Sequence, residues 1–278
     1  MRDLPDLAPL IDHALLDPHQ GSEAVLRCCD EARHFGFAGV CLASRWLPLA
    51  RERLGSGGSS RSGSGQPTRL ISVVGFPFGA IPAEIKRAEA EWAAAAGADE
   101  LDVVPDFGAL ADGDASRFCA DLAPIVELGL PVKVILEVGR LTPAALELAV
   151  AAAIDVGVAF LKTGSGFGPA VTVAQVTELR QLARGRAAVK ASGGIASLEQ
   201  ALELVEAGAS RLGTSRGVAL IRAGKTFGQR APSAPRSGHD DQDRDRDRDS
   251  EGDRQRNREQ EQDRGRKMDN DGEQDRDR

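Results

Sequence analysis

Three lysines lie on three consecutive apolar segments of the chain, at Lys133 in VKVILE, Lys162 in FLKT and Lys190 in VKAS. Lysine is scarce, because the 35 basic residues include only Lys86, Lys133, Lys162, Lys190, Lys225 and Lys267. A guanidinium stays protonated, whereas an amine that loses its proton can attack a carbonyl and form a Schiff base. Burial and neighbouring cations lower the pKa of an amine, so we expect them to supply the free base. The alternative is that one or more of these lysines only forms a structural ion pair.

Acidic side chains occur on the same kind of segment. Asp12 and His13 end the first segment, Asp102 lies within ELDVV, and Glu137 ends the segment that begins at Val132. A buried charge costs free energy unless it is paired or has a chemical task. Asp102 is a candidate general acid/base or a partner for a lysine. Asp12 could belong to the same proton relay or fix a loop, and His13 is expected to be a hydrogen-bonded strand-end residue.

Glycine-rich turns follow the last three long segments, with GSG at residues 164–166, SGG at 192–194 and GTS at 213–215. Backbone N–H groups in such turns, with a helix N-terminus behind them, can bind a phosphate group. The alternative is a set of tight turns that need glycine for its positive φ. Together the turns predict a phosphate site.

Metal catalysis is not expected from the spacing of histidine and cysteine. The histidines are His13, His19, His34 and His239, and no HxH or HExxH pattern joins them. The cysteines, Cys28, Cys29, Cys41 and Cys119, show no metal or redox spacing and predict reduced thiols of a cytoplasmic protein. There is also no GxxxxGK[ST] phosphate loop.

Short apolar segments alternate with segments of helical period. The predicted strands are Leu10–His13, Gly39–Leu42, Leu70–Val74, Glu100–Val104, Val132–Glu137, Ala159–Thr163, Ala188–Ser192 and Arg211–Gly213. The predicted helices are Glu23–Phe35, Arg45–Leu54, Ala83–Ala96, Ala115–Leu128, Pro143–Val156, Val173–Ala183, Leu198–Ala207 and Ser215–Ala223. Eight such units predict an α/β (β/α)₈ TIM barrel, with catalytic groups at the carboxyl ends of the strands. An open doubly wound sheet is the competitor, but the first turn lacks its glycine fingerprint.

The composition divides the chain into two parts. Residues 1–228 form the predicted barrel, which includes a flexible Gly/Ser loop at 55–66, and residues 229–278 form a predicted disordered Asp/Arg-rich tail. The tail is either an interaction segment or a solubilising extension. A net charge of −7, no apolar run of membrane length and a start without an apolar signal region predict no nucleic-acid or membrane partner.

Several motifs occur in an order that resembles the deoxyribose-phosphate aldolase family over roughly residues 7–224. The matching stretches are LIDHALLDP, GVCLASRWLPLA, ISVVGFPFGA, GADELDVV, VKVILEVGRL, FLKTGSGFG, VKASGGI and GASRLGTSRG. The resemblance implies cleavage of the phosphosugar 2-deoxy-D-ribose 5-phosphate to D-glyceraldehyde 3-phosphate and acetaldehyde, without metal or organic cofactor. It also implies a role in deoxyribonucleotide catabolism and a homo-oligomer, a dimer or tetramer.

The resemblance assigns roles that the residues alone leave open. It implies that Lys162 forms the Schiff base, that Lys190 lowers the pKa of Lys162 and assists proton transfer, and that Asp102 and Asp12 belong to a proton relay. The positions that it implies for phosphate binding are Gly166, Gly193, Gly194, Thr214 and Ser215.

The chain departs from the family pattern at several positions of the expected substrate mouth, which are Ala14, Ala43, Gly164 and Arg216. The last of these replaces a small residue in the final phosphate loop. The chain has no tyrosine, although some relatives use a C-terminal tyrosine for proton transfer. Two alternatives follow, a lysine-dependent aldolase for a different phosphosugar or aldehyde, and a catalytically silent barrel that binds a phosphosugar or acts as a scaffold.

Overall fold

The computed structural model describes residues 5–55 and 67–230, and it contains a closed barrel of parallel strands. The strands are β1 (Ile11–Leu15), β2 (Gly39–Ala43), β3 (Arg69–Val74), β4 (Glu100–Val103), β5 (Val132–Ile135), β6 (Phe160–Lys162), β7 (Ala188–Ser192) and β8 (Arg211–Thr214). Each strand pairs with the next along the chain, and β1 pairs with β8. The predicted (β/α)₈ TIM barrel is confirmed, and the open sheet is excluded because the barrel is closed.

Helices follow the strands and surround the barrel. They are α1 (Ser22–Phe35), α2 (Leu47–Leu54), α3 (Ala83–Ala95), α4 (Phe107–Ala111), α5 (Ala115–Val126), α6 (Pro143–Val156), α7 (Val173–Ala183), α8 (Leu198–Glu206) and α9 (Gly217–Arg230). The predicted bounds of β7, α6 and α7 agree with the structure residue for residue. The other predicted ends differ from the structure by at most two residues, except that α9 continues to Arg230.

The helix ends follow local backbone chemistry. Glycine follows five of the helices in a left-handed conformation, at Gly36, Gly97, Gly129, Gly157 and Gly208. A residue without a side chain adopts this conformation at no steric cost, so the predicted helix stops are confirmed. At the other end, Thr142 and Ser197 accept the N–H of the residue three positions on, which satisfies a free donor of the first turn.

Three local differences from the sequence prediction surround the carboxyl ends of the strands. Helix α4 was not predicted, because five residues are too few to show a helical period, although Asp106 caps it. A 3₁₀ turn at Ser44–Trp46 replaces the predicted start of α2. Strand β5 ends at Ile135, and Glu137 lies beyond it with a left-handed φ of 50°. This φ accompanies a turn in which the Glu137 carboxylate accepts the N–H of Ser165.

The interior of the barrel is unusual in its polarity. The main apolar core lies between the strands and the helices, whereas inside the barrel a small apolar cluster joins Cys41, Ile71 and Val73. Buried charged side chains from β1, β4, β5, β6, β7 and β8 contact one another in the rest of the interior. Barrel interiors are ordinarily filled with branched apolar residues, so this charged region marks a place where stability is given up for function.

Parts of two predicted segments lie outside the described residues. These are residues 56–66 of the Gly/Ser loop and 231–278 of the tail, and their predictions stay predictions. Gln229 and Arg230 belong to α9, so the predicted boundary at residue 228 falls inside a helix. No helix within the described ranges has the length and apolar character needed to cross a membrane.

Candidate active site

Asp102 on β4 is the centre of a buried cluster of three lysines. Its Oδ1 lies 2.9 Å from Nζ of Lys133, and its Oδ2 lies 2.8 Å from Nζ of Lys162 and 2.7 Å from Nζ of Lys190. The side chains come from the neighbouring strands β4 to β7, where strand register pairs Asp102 with Lys133 and Lys162 with Lys190. The structure thus brings together the residues that the sequence singled out on separate strands.

Both aspartates of the cluster are held in the ionised form. Burial by itself would raise the pKa of Asp102, but the ammonium groups of Lys133, Lys162 and Lys190 outweigh burial and hold it well below its usual value. Burial also opposes the charge of Asp12, and the cations led by Lys190 again lower its pKa. These carboxylates can therefore hold cations and accept protons transiently, but they do not rest as neutral acids.

Lys190 differs from the expectation that burial and cations lower the pKa of each lysine. Its Nζ lies 2.6 Å from Oδ2 of Asp12 as well as against Asp102. Burial favours the neutral amine, but the carboxylates of Asp102 and Asp12 outweigh burial, so the pKa of Lys190 is raised. The expectation is wrong for Lys190, which is an ammonium group next to Lys162.

A second layer of buried charge supports the cluster. Arg211 on β8 contacts Asp12 and, at 3.0 Å, Glu100, and the Nζ of Lys133 lies 2.5 Å from Glu100. The sequence analysis did not single out Arg211 or Glu100. A signal was present, because Glu100 is two residues before Asp102, and alternate residues of a strand point to the same face.

A cavity of about 400 Å³ opens at the carboxyl ends of the strands. Lys162 and Lys190 line it, whereas Lys133 does not and is fully buried among carboxylates. The structural ion pair that the sequence analysis kept as an alternative therefore describes Lys133. Geometry alone leaves Lys162 and Lys190 as the amines that a ligand can reach.

The predicted phosphate turns line the same cavity. Gly166, Gly193 and Gly194 have φ values of 93°, 104° and 71°, which confirms that these turns need glycine. The N–H groups of these glycines and of Ser215 find no acceptor in the described part of the chain. Unpaired backbone donors on a cavity wall can bind an anion, so the predicted phosphate site stays a prediction beside the confirmed need for glycine.

Hydrogen bonds hold these turns in place. Thr214 donates its hydroxyl to the carbonyl of Ile195, which ties the turn after β8 to the turn after β7. Thr163 and Ser192 exchange two bonds of 2.8 and 2.9 Å between the ends of β6 and β7. The carboxylate of Glu137 accepts the N–H of Ser165 at 2.6 Å. The cavity wall is therefore fixed before any ligand enters.

Two further side chains clarify the limits of the site. His13 lies 2.9 Å from Glu31 on α1 and does not line the cavity, so the expected hydrogen bond is confirmed. The expected place at a strand end is wrong, because β1 continues to Leu15. Cys41, which the sequence analysis did not select, lines the cavity with its Sγ 3.8 Å from Oδ2 of Asp102. Burial and the charge of Asp102 raise the pKa of Cys41 to about 11, so its thiol stays protonated near neutral pH.

Some of the positions that depart from the family pattern lie on the cavity wall, and others lie outside it. Ala14 and Arg216 line the cavity, and Ala43 and Gly164 do not. In the described ranges, no cluster of three or more His, Cys, Asp or Glu side chains is arranged to hold a metal ion.

Known proteins resemble this chain over the barrel. No protein-family model matches the chain. The deoxyribose-phosphate aldolase of Thermosynechococcus vestitus is 45% identical over 221 residues, which cover 79% of this chain and 98% of that protein. The enzyme of Thermus thermophilus is 42% identical over 80% of this chain and 99% of its own length. The tetrameric deoxyribose phosphate aldolase from Aeropyrum pernix superposes with a TM-score of 0.70 at 33% identity, covering 80% of this chain and 92% of that structure.

Proposed function

The chain belongs to the deoxyribose-phosphate aldolase family, and we propose that it is a class I aldolase that cleaves 2-deoxy-D-ribose 5-phosphate to D-glyceraldehyde 3-phosphate and acetaldehyde. The observation that carries this proposal is the pair of amines on one carboxylate oxygen. Lys162 and Lys190 both contact Oδ2 of Asp102 at a cavity wall, where a sugar aldehyde can reach them.

Lys162 is the nucleophile in this proposal. Lys190 is held as an ammonium by two carboxylates, whereas Lys162 contacts only the Asp102 oxygen that it shares with Lys190. Only an unprotonated amine is a nucleophile, so in this proposal Lys162 reacts as the free amine. The free amine then attacks C1 of the open-chain sugar, and a carbinolamine forms.

Proton transfers then carry the reaction through cleavage. Loss of water from the carbinolamine gives an iminium at Lys162, and a base removes the proton of the C3 hydroxyl. The C2–C3 bond breaks, its electrons pass into the iminium, and glyceraldehyde 3-phosphate leaves. The enamine takes a proton at C2, and hydrolysis releases acetaldehyde and restores Lys162. Asp102, water and Lys190 shuttle these protons, while Asp12 holds Lys190 at 2.6 Å.

The phosphate group binds at the glycine turns of the cavity in this proposal. The N–H groups of Gly166, Gly193, Gly194 and Ser215 have no acceptor among the described residues and are available to a dianion, and Thr214 ties the turn after β8 to the turn after β7. Binding energy from a remote phosphate positions the aldehyde carbon against Lys162. The reaction needs no metal and no organic cofactor, because the imine itself accepts the electron pair.

The proposed function extends to assembly and location. A homo-oligomer, a dimer or tetramer, is supported by the tetrameric relative from Aeropyrum pernix, and analytical ultracentrifugation tests it.

A cytoplasmic location is supported by the free cysteines of the described residues, since disulfides are rare in that compartment. A phosphorylated deoxy sugar as substrate suits deoxyribonucleotide catabolism. Residues 1–228 suffice for this activity in the proposal, and the tail takes no part in it.

Borohydride trapping tests the proposal directly. The protein is incubated with 2-deoxy-D-ribose 5-phosphate and sodium borohydride, and the labelled peptide is mapped by mass spectrometry. We expect reduction of the imine to leave a stable adduct on Lys162. Lys162→Arg keeps the positive charge but cannot form an imine, so it serves as the matched control. A label on Lys190 or Lys133, or turnover without any adduct, would contradict the proposal.

A further inference from the structure

Arg216 is a charged residue of the cavity wall that has no ionic partner among the described residues. It lies between the end of β8 and the start of α9, its side chain is exposed, and it lines the same cavity as Lys162 and Lys190. No carboxylate of the described ranges pairs with its guanidinium, although other exposed arginines, such as Arg53 and Arg117, form such pairs. Arg216 also lines a neighbouring depression with Glu31 and Arg222, but no ion pair joins it to Glu31 in the described ranges. A guanidinium that has no such partner and belongs to a residue of the cavity wall is available to a ligand.

The backbone of Arg216 is held by hydrogen bonds, whereas its guanidinium makes no hydrogen bond or ion pair with the described residues. The N–H of Arg216 donates to Oγ1 of Thr214 at 3.0 Å, and its carbonyl accepts the N–H of Leu220 at 3.1 Å. The next residue, Gly217, packs closely, because a Cβ there would lie 3.0 Å from the ring of Phe37. Arg216 therefore offers a ligand its side chain and not its N–H group.

The other charged groups on the cavity wall are engaged. Lys162 and Lys190 are held by aspartates in the barrel interior. Asp17 accepts hydrogen bonds from Gln20 and His19, which lower its pKa to about 2 and keep it ionised. Within the described part of the chain, Arg216 is thus the charged residue of this wall that has no partner before a ligand binds.

The unpaired backbone donors lie next to this cation. Ser215, whose N–H has no acceptor in the described residues, immediately precedes Arg216, and Gly166, Gly193 and Gly194 share the cavity with it. A phosphate monoester carries nearly two negative charges at neutral pH. A guanidinium presents a planar set of donors that matches phosphate oxygens, and such charge-assisted bonds are the strong ones.

We propose that Arg216 binds the phosphate of the substrate directly, so that this chain selects a phosphorylated sugar by a side-chain cation as well as by backbone N–H groups. The inference rests on the proposed aldolase function for the identity of the substrate. Arg216 is then a specificity-determining residue, and it acts on substrate binding more than on the chemistry at Lys162. Because its side chain is exposed, its contribution falls as ionic strength rises.

Steady-state kinetics with a matched set of variants tests the proposal. Arg216→Gln removes the charge, Arg216→Lys keeps it, and Arg222→Gln makes the same charge change on α9 at an exposed residue outside this cavity. Each protein is assayed with 2-deoxy-D-ribose 5-phosphate and with unphosphorylated 2-deoxy-D-ribose. The readout is the ratio of kcat/KM for the two sugars.

We expect Arg216→Gln to lower this ratio about 10- to 100-fold, chiefly by raising KM for the phosphorylated sugar. Arg216→Lys should recover part of the loss, and Arg222→Gln should keep the wild-type ratio. The loss should shrink at high salt. A wild-type ratio in Arg216→Gln, or an equal loss for both sugars, would overturn the proposal.

A binding measurement separates this proposal from the aldolase proposal. Isothermal titration with inorganic phosphate needs no turnover, so it remains decisive even if the wild-type protein cleaves neither sugar. We expect the affinity for phosphate to fall about tenfold or more in Arg216→Gln and to be kept in Arg222→Gln. Equal affinities in wild type and Arg216→Gln would refute the role of Arg216, whatever the borohydride experiment shows.

Discussion

Gly213 on β8 lies directly against the side chain of Lys190 on β7. A Cβ placed on Gly213 would stand 3.1 Å from Cε of Lys190 and 2.9 Å from Cβ of Ser192. The φ of Gly213 is not positive, so conformational freedom does not explain the glycine here. Its missing side chain is the space through which Lys190 reaches Asp12 and Asp102.

Gly213→Ala should therefore displace the amine of Lys190 while the fold is kept. We expect kcat to fall on the order of 100-fold, because displacements near 1 Å in a catalytic group have effects of that size. Overpacking should also lower the free energy of unfolding by about 1–3 kcal/mol. Gly224→Ala, whose Cβ would meet only Leu198 at 3.9 Å, is the control. Normal kcat in a folded Gly213→Ala protein would show that the close approach is unimportant.

Substitutions of Lys133 and of Lys162 should have separate effects, the first mainly on stability and the second mainly on catalysis. Lys133→Met leaves Oε2 of Glu100 and Oδ1 of Asp102 without their shared cation, although other cations remain on the second oxygen of each carboxylate. We therefore expect a loss of about 3 kcal/mol in the free energy of unfolding, the lower end of the range for a broken buried ion pair. In Lys162→Met, the Oδ2 of Asp102 keeps Lys190, so the loss should be smaller. Cleavage, however, should fall at least about a thousandfold, because the nucleophile is gone.

Urea unfolding and initial-rate assays of the two variants check this separation. If both changes lower the free energy of unfolding equally, Lys133 does not stabilise the fold more than Lys162 does. Full activity in Lys162→Met would remove Lys162 as the nucleophile.

The pH dependence of stability follows from the buried charges. The pKa values of Asp12 and Asp102 lie below the ordinary 3.8, so below that pH the unfolded chain binds protons that the folded chain does not. Their contribution is present above about pH 4 and is lost as pH falls further. The pKa of Lys190 is raised above 10.5, so its contribution is present below that pH and is lost as pH rises through the folded value.

Urea unfolding between pH 2 and pH 11 measures this curve. We expect a plateau between the two limits and a steeper acid decline in wild type than in Asp102→Asn, which cannot lose the Asp102 charge. An equally steep acid decline in both proteins would place the titrating groups elsewhere.

The phosphate turns allow a comparison of two glycines with similar backbones. Gly166 and Gly185 have φ values of 93° and 76°, and a Cβ on either would meet no atom within 4 Å. Alanine at either position should cost roughly 1–2 kcal/mol of stability for the left-handed conformation. Only Gly166 lines the cavity with Lys162, so only Gly166→Ala should raise KM for the phosphorylated sugar, by about tenfold or more. Equal KM values for the two variants would argue against a phosphate site at this turn.

The sequence predicted the architecture because barrel strands and helices repeat with strong local signals. Apolar segments that end in glycine turns recur around the barrel, and β7 is predicted with both ends correct. The charged residues on strands could be recognised from the sequence because a lysine such as Lys190 is rare among so many arginines. Helix α4 was missed because its five residues carry less information than the cap at Asp106.

The electrostatics of the site could not be predicted from sequence. Whether Lys190 has a raised or a lowered pKa depends on which carboxylates lie within 3 Å of it, and these come from β1 and β4. Glu100 was missed although strand alternation places it on the same face as Asp102, and Arg211 was missed because a residue that begins a strand can face solvent or the interior. From the residues alone, the ranking of Lys133 below Lys162 required the cavity, and before the structure only the family resemblance supplied it.

The charged side chains inside the barrel can also be counted to give the net charge of the interior. The carboxylates are those of Asp12, Glu100 and Asp102, and the cations that contact them from inside the barrel are Lys133, Lys162, Lys190 and Arg211. The cations exceed the anions by one, so the interior is electroneutral when one amine is uncharged. An iminium at Lys162 restores the surplus charge at the moment when electrons must be drawn from the C2–C3 bond. In the proposed reaction the interior therefore alternates between a neutral state, with the free amine or the enamine at Lys162, and a singly positive state with the iminium.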